Sequence, residues 1–184
     1  MNTHDLDTLA AAIPHEGLRE LTRLTLAAAP AAFRHAAAST TGKHHSGDEC
    51  EPGGLVLHTR RVYRVAEHLL RMYGIGQQAP MYSICLAAAL LHDCCKVMSE
   101  GEHSRFDHPL LAAELVRQQA ATMATPLRAH ILADLCAAIE SHMGRWRTSH
   151  HAPGIILPEP ASATAWLVHQ ADYIASRGDI RVEV

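Results

Sequence analysis

A chain of 184 residues with 48% hydrophobic content is long enough to bury one core and most simply forms one domain. Its formal net charge of −3 excludes a broad electrostatic footprint for duplex DNA, although a local basic lane would survive that argument. No run approaches the roughly 18 apolar residues of a membrane span. Aromatic residues make up only 4%, so Ala, Leu and Val must build the interior, which favours close helix–helix packing. Histidine is the outlier, with 15 against 16 Lys plus Arg. Protonating them all would carry the formal charge from −3 to +12, so mild acid should disturb both the chain and any metal it binds. The five cysteines (Cys50, Cys85, Cys94, Cys95, Cys136) form no Cys-x-x-Cys pair, and their odd count without an N-terminal signal segment points to a reducing cytoplasm.

In chain order, Leu6, Leu9, Ile13, Leu18, Leu21, Leu24 and Leu26, interrupted by Pro14 and Gly17, predict two short helices over residues 5–29. A further helix is expected over 31–38, and a long polar loop over 39–54, of a length that often carries function. Leu55, Val62, Val65, Ala66 and Leu69 form the buried stripe of a helix over 55–73, with His58 in its first turns. Pro80 sits in the first turn of the next, over 79–95. Asp107 is a candidate cap for a helix over 107–124, and Pro126 opens another that runs to about 142. An irregular segment, 144–160, holds Trp146, His150 and His151 before a last helix over 161–176. No alternating strand pattern of useful length occurs, so the fold class is all-α. Residues 1–38 are read as N-terminal helices packed on a core of residues 39–184.

The stretch that carries chemistry is Leu90-Leu91-His92-Asp93-Cys94-Cys95-Lys96-Val97, which sets an imidazole and a carboxylate at the end of an apolar run. Buried there, both need a partner, and a divalent ion takes neutral imidazole and ionised carboxylate together. If the helix continues, His92 and Lys96 share a face and an ammonium stands where an anionic substrate would lie. His58 and Asp172 are likewise ionisable groups flanked by apolar residues. A set of N and O donors without sulfur suits a catalytic divalent ion with open positions better than a closed structural zinc.

The order His58, His92-Asp93, Asp172 resembles the ligand pattern of the HD-domain metal-dependent phosphohydrolase superfamily. Two stretches sharpen it. His44-His45 with Gly53-Gly54-Leu55-Val56-Leu57-His58-Thr59 looks like the opening of the branch that includes HD-type 3′-to-5′ exoribonucleases and the HD part of some conjugative relaxases. Ser141-His142-Met143-Gly144 resembles a Ser-His-His-Gly of that branch. His92-Asp93-x-x-Lys96 is the version shared with two-metal cyclic-dinucleotide phosphodiesterases.

This resemblance implies a single helical domain in which His58, His92, Asp93 and Asp172 hold one ion (Mn, Fe, Co, Ni, Mg or Zn). In two-metal members Asp93 bridges, and positions matching His108 and His142 hold the second. The implied catalytic pair is Asp93 with Lys96, the latter neutralising phosphoryl oxygens as charge builds. Arg61, His45 and Trp146 join Lys96 as candidate substrate contacts. A solvated helix face for Arg60, Arg61 and Arg64, and loop packing for Trp146 and Tyr173, are the plainer alternatives. A supporting or core role is expected for His169, and surface positions for His103 and His130. His108 before Pro109 and His142 at a helix end also have ordinary structural explanations.

Met143 stands where the second His of the pair would be, which argues against a third ion. The absence of Gly-Tyr-Pro near Trp146 counts against cyclic-di-GMP. The expected partner is a small phosphorylated substrate or nucleotide, or a nucleic-acid 3′ end. No membrane is expected, and homo-oligomerisation is left open. Two rivals stand beside the hydrolase: a non-catalytic metal- and nucleotide-binding sensor or mobile-element accessory module, and a diiron oxygenase.

Overall fold

The computed structural model describes residues 4–39, 45–180 and 182–184. His44 therefore lies outside the described residues. Among them the secondary structure is entirely helical: α1 (His4–Ala11), α2 (Glu16–Ala28), α3 (Gly54–Met72), α4 (Pro80–Leu91), α5 (His108–Ala120), α6 (Ala129–Glu140) and α7 (Ala163–Ala175). The all-α expectation holds. Among the described residues no helix is long and apolar enough to cross a membrane.

The centre of the bundle is α4. Every residue from Tyr82 to Leu91 is buried, so the helix is apolar on all sides and must be enclosed on all sides. It is surrounded by α1, α2, α3, α6 and α7, while α5 pairs with α6 and α2. Ala87, Ala88 and Ala89, each 0% exposed, let these neighbours approach closely, as the aromatic-poor composition requires. The α2 helix is tied to the centre at its start. His15 caps it by accepting the Leu18 amide at 3.2 Å, and the His15 amide donates to Ser83 Oγ of α4 at 3.1 Å.

Several expected helices are shorter than their patterns, for identifiable reasons. The 31–38 helix is only a 3₁₀ turn, Ala31–Arg34. The carbonyls of His35 and Ala36 instead accept the amides of Gly53 (2.9 Å) and Leu55 (3.0 Å), satisfying donors at the start of α3 that have no partner within their own helix. The 79–95 helix stops at Leu91, and residues 92–96 form turns in which the Lys96 amide reaches the Asp93 carbonyl at 3.0 Å. Asp107 precedes α5 without a side-chain cap, because its carboxylate is held by Arg105 at 2.9 and 2.7 Å. The α6 helix begins at Ala129 rather than at Pro126, after an extended Arg128, and ends at Glu140. Ser162 does cap α7, its Oγ accepting the Ala165 amide at 3.1 Å.

The entry to α3 is the tightest joint. Gly53 takes a left-handed φ of 82°, and a Cβ on Gly54 would stand 2.1 Å from the Glu49 carbonyl oxygen. This close approach presses the 3₁₀ turn Gly47–Cys50 against the first turn of α3. Gly54→Ala is expected to lose about 1–3 kcal/mol by overpacking, read as a lower urea midpoint at unchanged slope.

Candidate metal centre

The six side chains singled out as metal donors come from five places and meet at the end of α4. His58 lies in the second turn of α3, His92 and Asp93 just beyond α4, His108 at the first position of α5, His142 just beyond α6, and Asp172 in the last turn of α7. His58, His92, Asp93, His108 and His142 are buried, and the Asp172 side chain is 19% exposed. His58 Nε2 lies 3.0 Å from Asp172 Oδ1 and 4.0 Å from Asp93 Oδ2, and His92 Nε2 lies 3.5 Å from Asp93 Oδ2 and 3.8 Å from Asp172 Oδ1. On the other side of the same carboxylate, Asp93 Oδ1 is 2.8 Å from His108 Nε2 and 3.5 Å from His142 Nε2. One Asp93 oxygen thus faces His58 and His92, and the other faces His108 and His142.

The backbone sets the tautomers. His92 Nδ1 donates to the Ala89 carbonyl (2.9 Å), His108 Nδ1 to Arg105 (2.6 Å) and His142 Nδ1 to Ile139 (2.7 Å), each three residues back. A carbonyl only accepts, so each Nδ1 carries a proton and each ring turns its Nε2 toward Asp93. Burial pushes His92 down to about 4 and lowers His108, which keeps both rings neutral. The Nε2 lone pair of neutral His108 therefore opposes a carboxylate oxygen at 2.8 Å, with His142 Nε2 3.3 Å away. His92 Nε2 and Asp93 Oδ1 are buried without a hydrogen-bond partner. Acceptors crowded against acceptors in a buried site are what a cation resolves, and the donor set fits one or two divalent ions.

Asp93 is kept anionic. Burial drives its carboxyl up, but the Lys96 ammonium, 2.7 Å from Oδ2, leads the charges that hold it well below the usual range. The helix-face expectation for Lys96 is corrected here: α4 has already ended, and the ammonium meets Asp93 through the turn instead of lying beside His92. Its side chain remains 15% exposed and lines the cleft over Asp93, His142 and Asp172.

Among the expected substrate contacts, His45, Lys96 and Trp146 line this cleft. Arg61 does not. Its guanidinium is held by Asp48 at 2.7 Å, Glu49 at 2.7 Å and Ser46 Oγ at 2.6 Å, and Nε reaches the Val182 carbonyl, so it faces away from the cleft. Arg61 builds an intramolecular clasp.

That clasp exposes a residue which the sequence did not single out. Glu49 is fully buried, with Oε2 2.6 Å from His45 Nδ1 and 3.5 Å from His58 Nδ1, while Arg61 holds Oε1. It stands behind His58 as the backbone carbonyls stand behind the other three rings. Asp48, Glu49 and Glu51 look alike in sequence, and the one trace of the contact is the Gly53-Gly54 pair that lets the turn approach. Glu49→Gln is expected to weaken divalent-ion affinity about 10–100-fold, measured by competition with a fluorescent chelator.

His169 supports the far side. Its Nδ1 donates to the His142 carbonyl at 2.7 Å, and Gly144, at φ 58°, leaves room for the ring where a Cβ would approach to 2.2 Å. The Gly of Ser141-His142-Met143-Gly144 is thereby explained by packing. His103 and His130 are exposed, as expected.

The family model for the HD domain matches residues 55–177, about two thirds of the chain. Neither the curated proteins nor the solved structures compared with the chain gave a match. HD domains bind divalent metals and make up a family of metal-dependent phosphohydrolases, and the buried His and Asp cluster stands within the matched span. With its helical bundle and its His and Asp residues in this order, the chain belongs to the HD-domain family.

Proposed function

We propose that the protein hydrolyses phosphate esters or anhydrides of nucleotides, either nucleoside mono- and triphosphates or nucleic-acid 3′ ends, with one or two divalent ions. The observation that carries this reading is Asp93, an ionised carboxylate with an imidazole pair on each oxygen. Divalent ions in such a place supply Lewis acidity, drawing charge from phosphoryl oxygens and lowering the pKa of water.

The chain's own contribution is positioning. Asp93 and Asp172 are held ionised, and the backbone carbonyls fix three of the four imidazoles, so little rearrangement accompanies reaction. Lys96 offers an ammonium over the centre that can shift from Asp93 toward an incoming phosphoryl oxygen. No side-chain nucleophile is required. Trp146 and Tyr173 at the cleft mouth favour a substrate carrying a base.

The test is phosphate release from a nucleotide panel with Mn, Co or Ni, run beside a chelated control, with bound metal measured separately. Turnover that needs the ion supports the reading. Bound ion without turnover on any nucleotide identifies a binding module instead, and oxygen consumption with iron would mark the oxidative rival.

A further inference from the structure

Six arginines of the chain end on a carboxylate: Arg61 on Glu49, Arg64 and Arg71 on Glu67, Arg105 on Asp107, Arg117 on Glu140 and Arg147 on Glu159. Arg177 does not. Among the described residues no carboxylate lies within ion-pair distance of it, and its Nε is buried without a hydrogen-bond partner. A charged donor left buried and unpaired costs more than a typical hydrogen bond returns, so this one calls for an acceptor.

The surroundings of Arg177 say which acceptor. Its amide donates to the Ile174 carbonyl at 3.1 Å, which turns the chain back at the end of α7. The guanidinium carbon lies 4.5 Å from the centre of the Tyr173 ring, and Nη2 donates to Ser176 Oγ at 3.3 Å. A helix C-terminus attracts a cation through its dipole, but no guanidinium donor of Arg177 ends on a carbonyl of α7. Contact with Tyr173 through the ring face leaves the in-plane donors free, the geometry in which arginine takes two oxygens of one phosphate. The same side chain lines the cleft of about 300 Å³ over the metal centre, together with Asp93, Lys96 and Asp172. Lys96 is committed to Asp93 at 2.7 Å, whereas Arg177 holds only a hydroxyl and a ring.

Resting on the hydrolase reading above, we propose that Arg177 is a substrate-binding residue that takes two oxygens of a substrate phosphate through Nε and one Nη. Two sources offer that chemistry: the phosphoryl group being hydrolysed and a second phosphate beside it. Ser176 aims the fork, because its hydroxyl is anchored on the Tyr173 carbonyl at 2.9 Å while it accepts from Nη2. The cleft thereby receives one cation from the turn after α4 and one from the end of α7. Only the second is free to meet an anion without first giving up a carboxylate.

The experiment measures KM and kcat of the Mn-loaded protein on AMP and on ADP, beside bound metal and Tm, and repeats them on Arg177→Gln and Arg177→Lys. Where the parent binds a nucleotide without turning it over, the calorimetric Kd stands in for KM. The expected result is KM raised about 10–100-fold in Arg177→Gln, the scale of hydrogen bonds to a charged group. Arg177→Lys should lose less, since it keeps the charge but not the fork. The loss should fall mainly on KM, with bound metal and Tm at the parent's values, which a merely structural arginine would not give. A rise on both nucleotides puts the reacting phosphoryl group on Arg177, and a rise on ADP alone puts the neighbouring phosphate there. KM unmoved on both, or a loss that comes with lower metal content and Tm, overturns the assignment and leaves the hydrolase reading intact. Binding without turnover overturns the hydrolase reading, and the Kd values then decide on Arg177. A parent that takes neither nucleotide overturns both.

Discussion

Asp93→Asn is expected to abolish metal-dependent phosphate release, lowering kcat/KM at least 10³-fold while leaving a folded protein. The argument is geometric. The asparagine keeps the volume of the side chain but has one carbonyl oxygen, so it can serve one pair of imidazoles and must turn its amide toward the other. A divalent ion that needs the lost oxygen would be held less tightly. Losing several kcal/mol of charge stabilisation at phosphorus corresponds, at about 1.36 kcal/mol per tenfold, to three or more decades in rate.

The substitution also removes the anion beside Lys96 and so leaves a largely buried ammonium unpaired, while relieving the carboxylate from the lone pair of His108 at 2.8 Å. These effects oppose each other, so the loss of stability should stay within a few kcal/mol, and thermal melts should show one cooperative transition. Bound metal measured on the same samples should fall below that of the parent. Activity within tenfold of the parent, with metal content unchanged, would falsify the placement of Asp93 in the metal centre.

Much of this centre is legible in the sequence because each of its main groups is chemically out of place there. His58 and Asp172 sit in apolar helical runs, and His92 with Asp93 directly follows one. What could not be read depends on backbone hydrogen bonds made in three dimensions. The apolar pattern of 79–95 runs on past Leu91, yet the helix stops, and that stop pairs Lys96 with Asp93. Ala31–Ala38 has the composition of a helix, but its carbonyls are used to begin α3. Arg61 has the sequence context of a phosphate ligand. Only the folded turn at Gly47–Cys50 brings Asp48 and Glu49 within reach of it. Glu49 was invisible for the same reason: its role comes from a contact across the loop, with no periodicity to mark it.

The second large effect is in the coupling of metal to protons. Burial lowers the pKa of His58, but hydrogen bonding to Asp172 and Glu49 outweighs it and raises the ring to about 9 in the ion-free chain. His92, at about 4, is already neutral at pH 7. An ion taking His58 Nε2 must therefore displace a proton, and loading at pH 7 should release about one proton per chain at that side of the centre. Apparent affinity should rise about tenfold per pH unit and level off near 9, a gain of roughly fiftyfold, or about 2.3 kcal/mol, between pH 7 and 9.

Stability of the ion-free chain should run the other way. A raised His58 pKa contributes stability in full below the ordinary value of 6.5, and that contribution is lost as pH climbs through 9. The lowered Asp93 and Asp172 add stability above the ordinary carboxyl value of 3.8, which disappears only in acid, so they leave this window undisturbed. Thermal melts from pH 6.5 to 9 should accordingly show Tm falling without metal while the increment from saturating Mn grows. Calorimetric titration in two buffers of different ionisation enthalpy counts the proton directly. A proton count near zero at pH 7, or an increment that does not change with pH, would place the ion away from His58 and detach Asp172 from the centre with it.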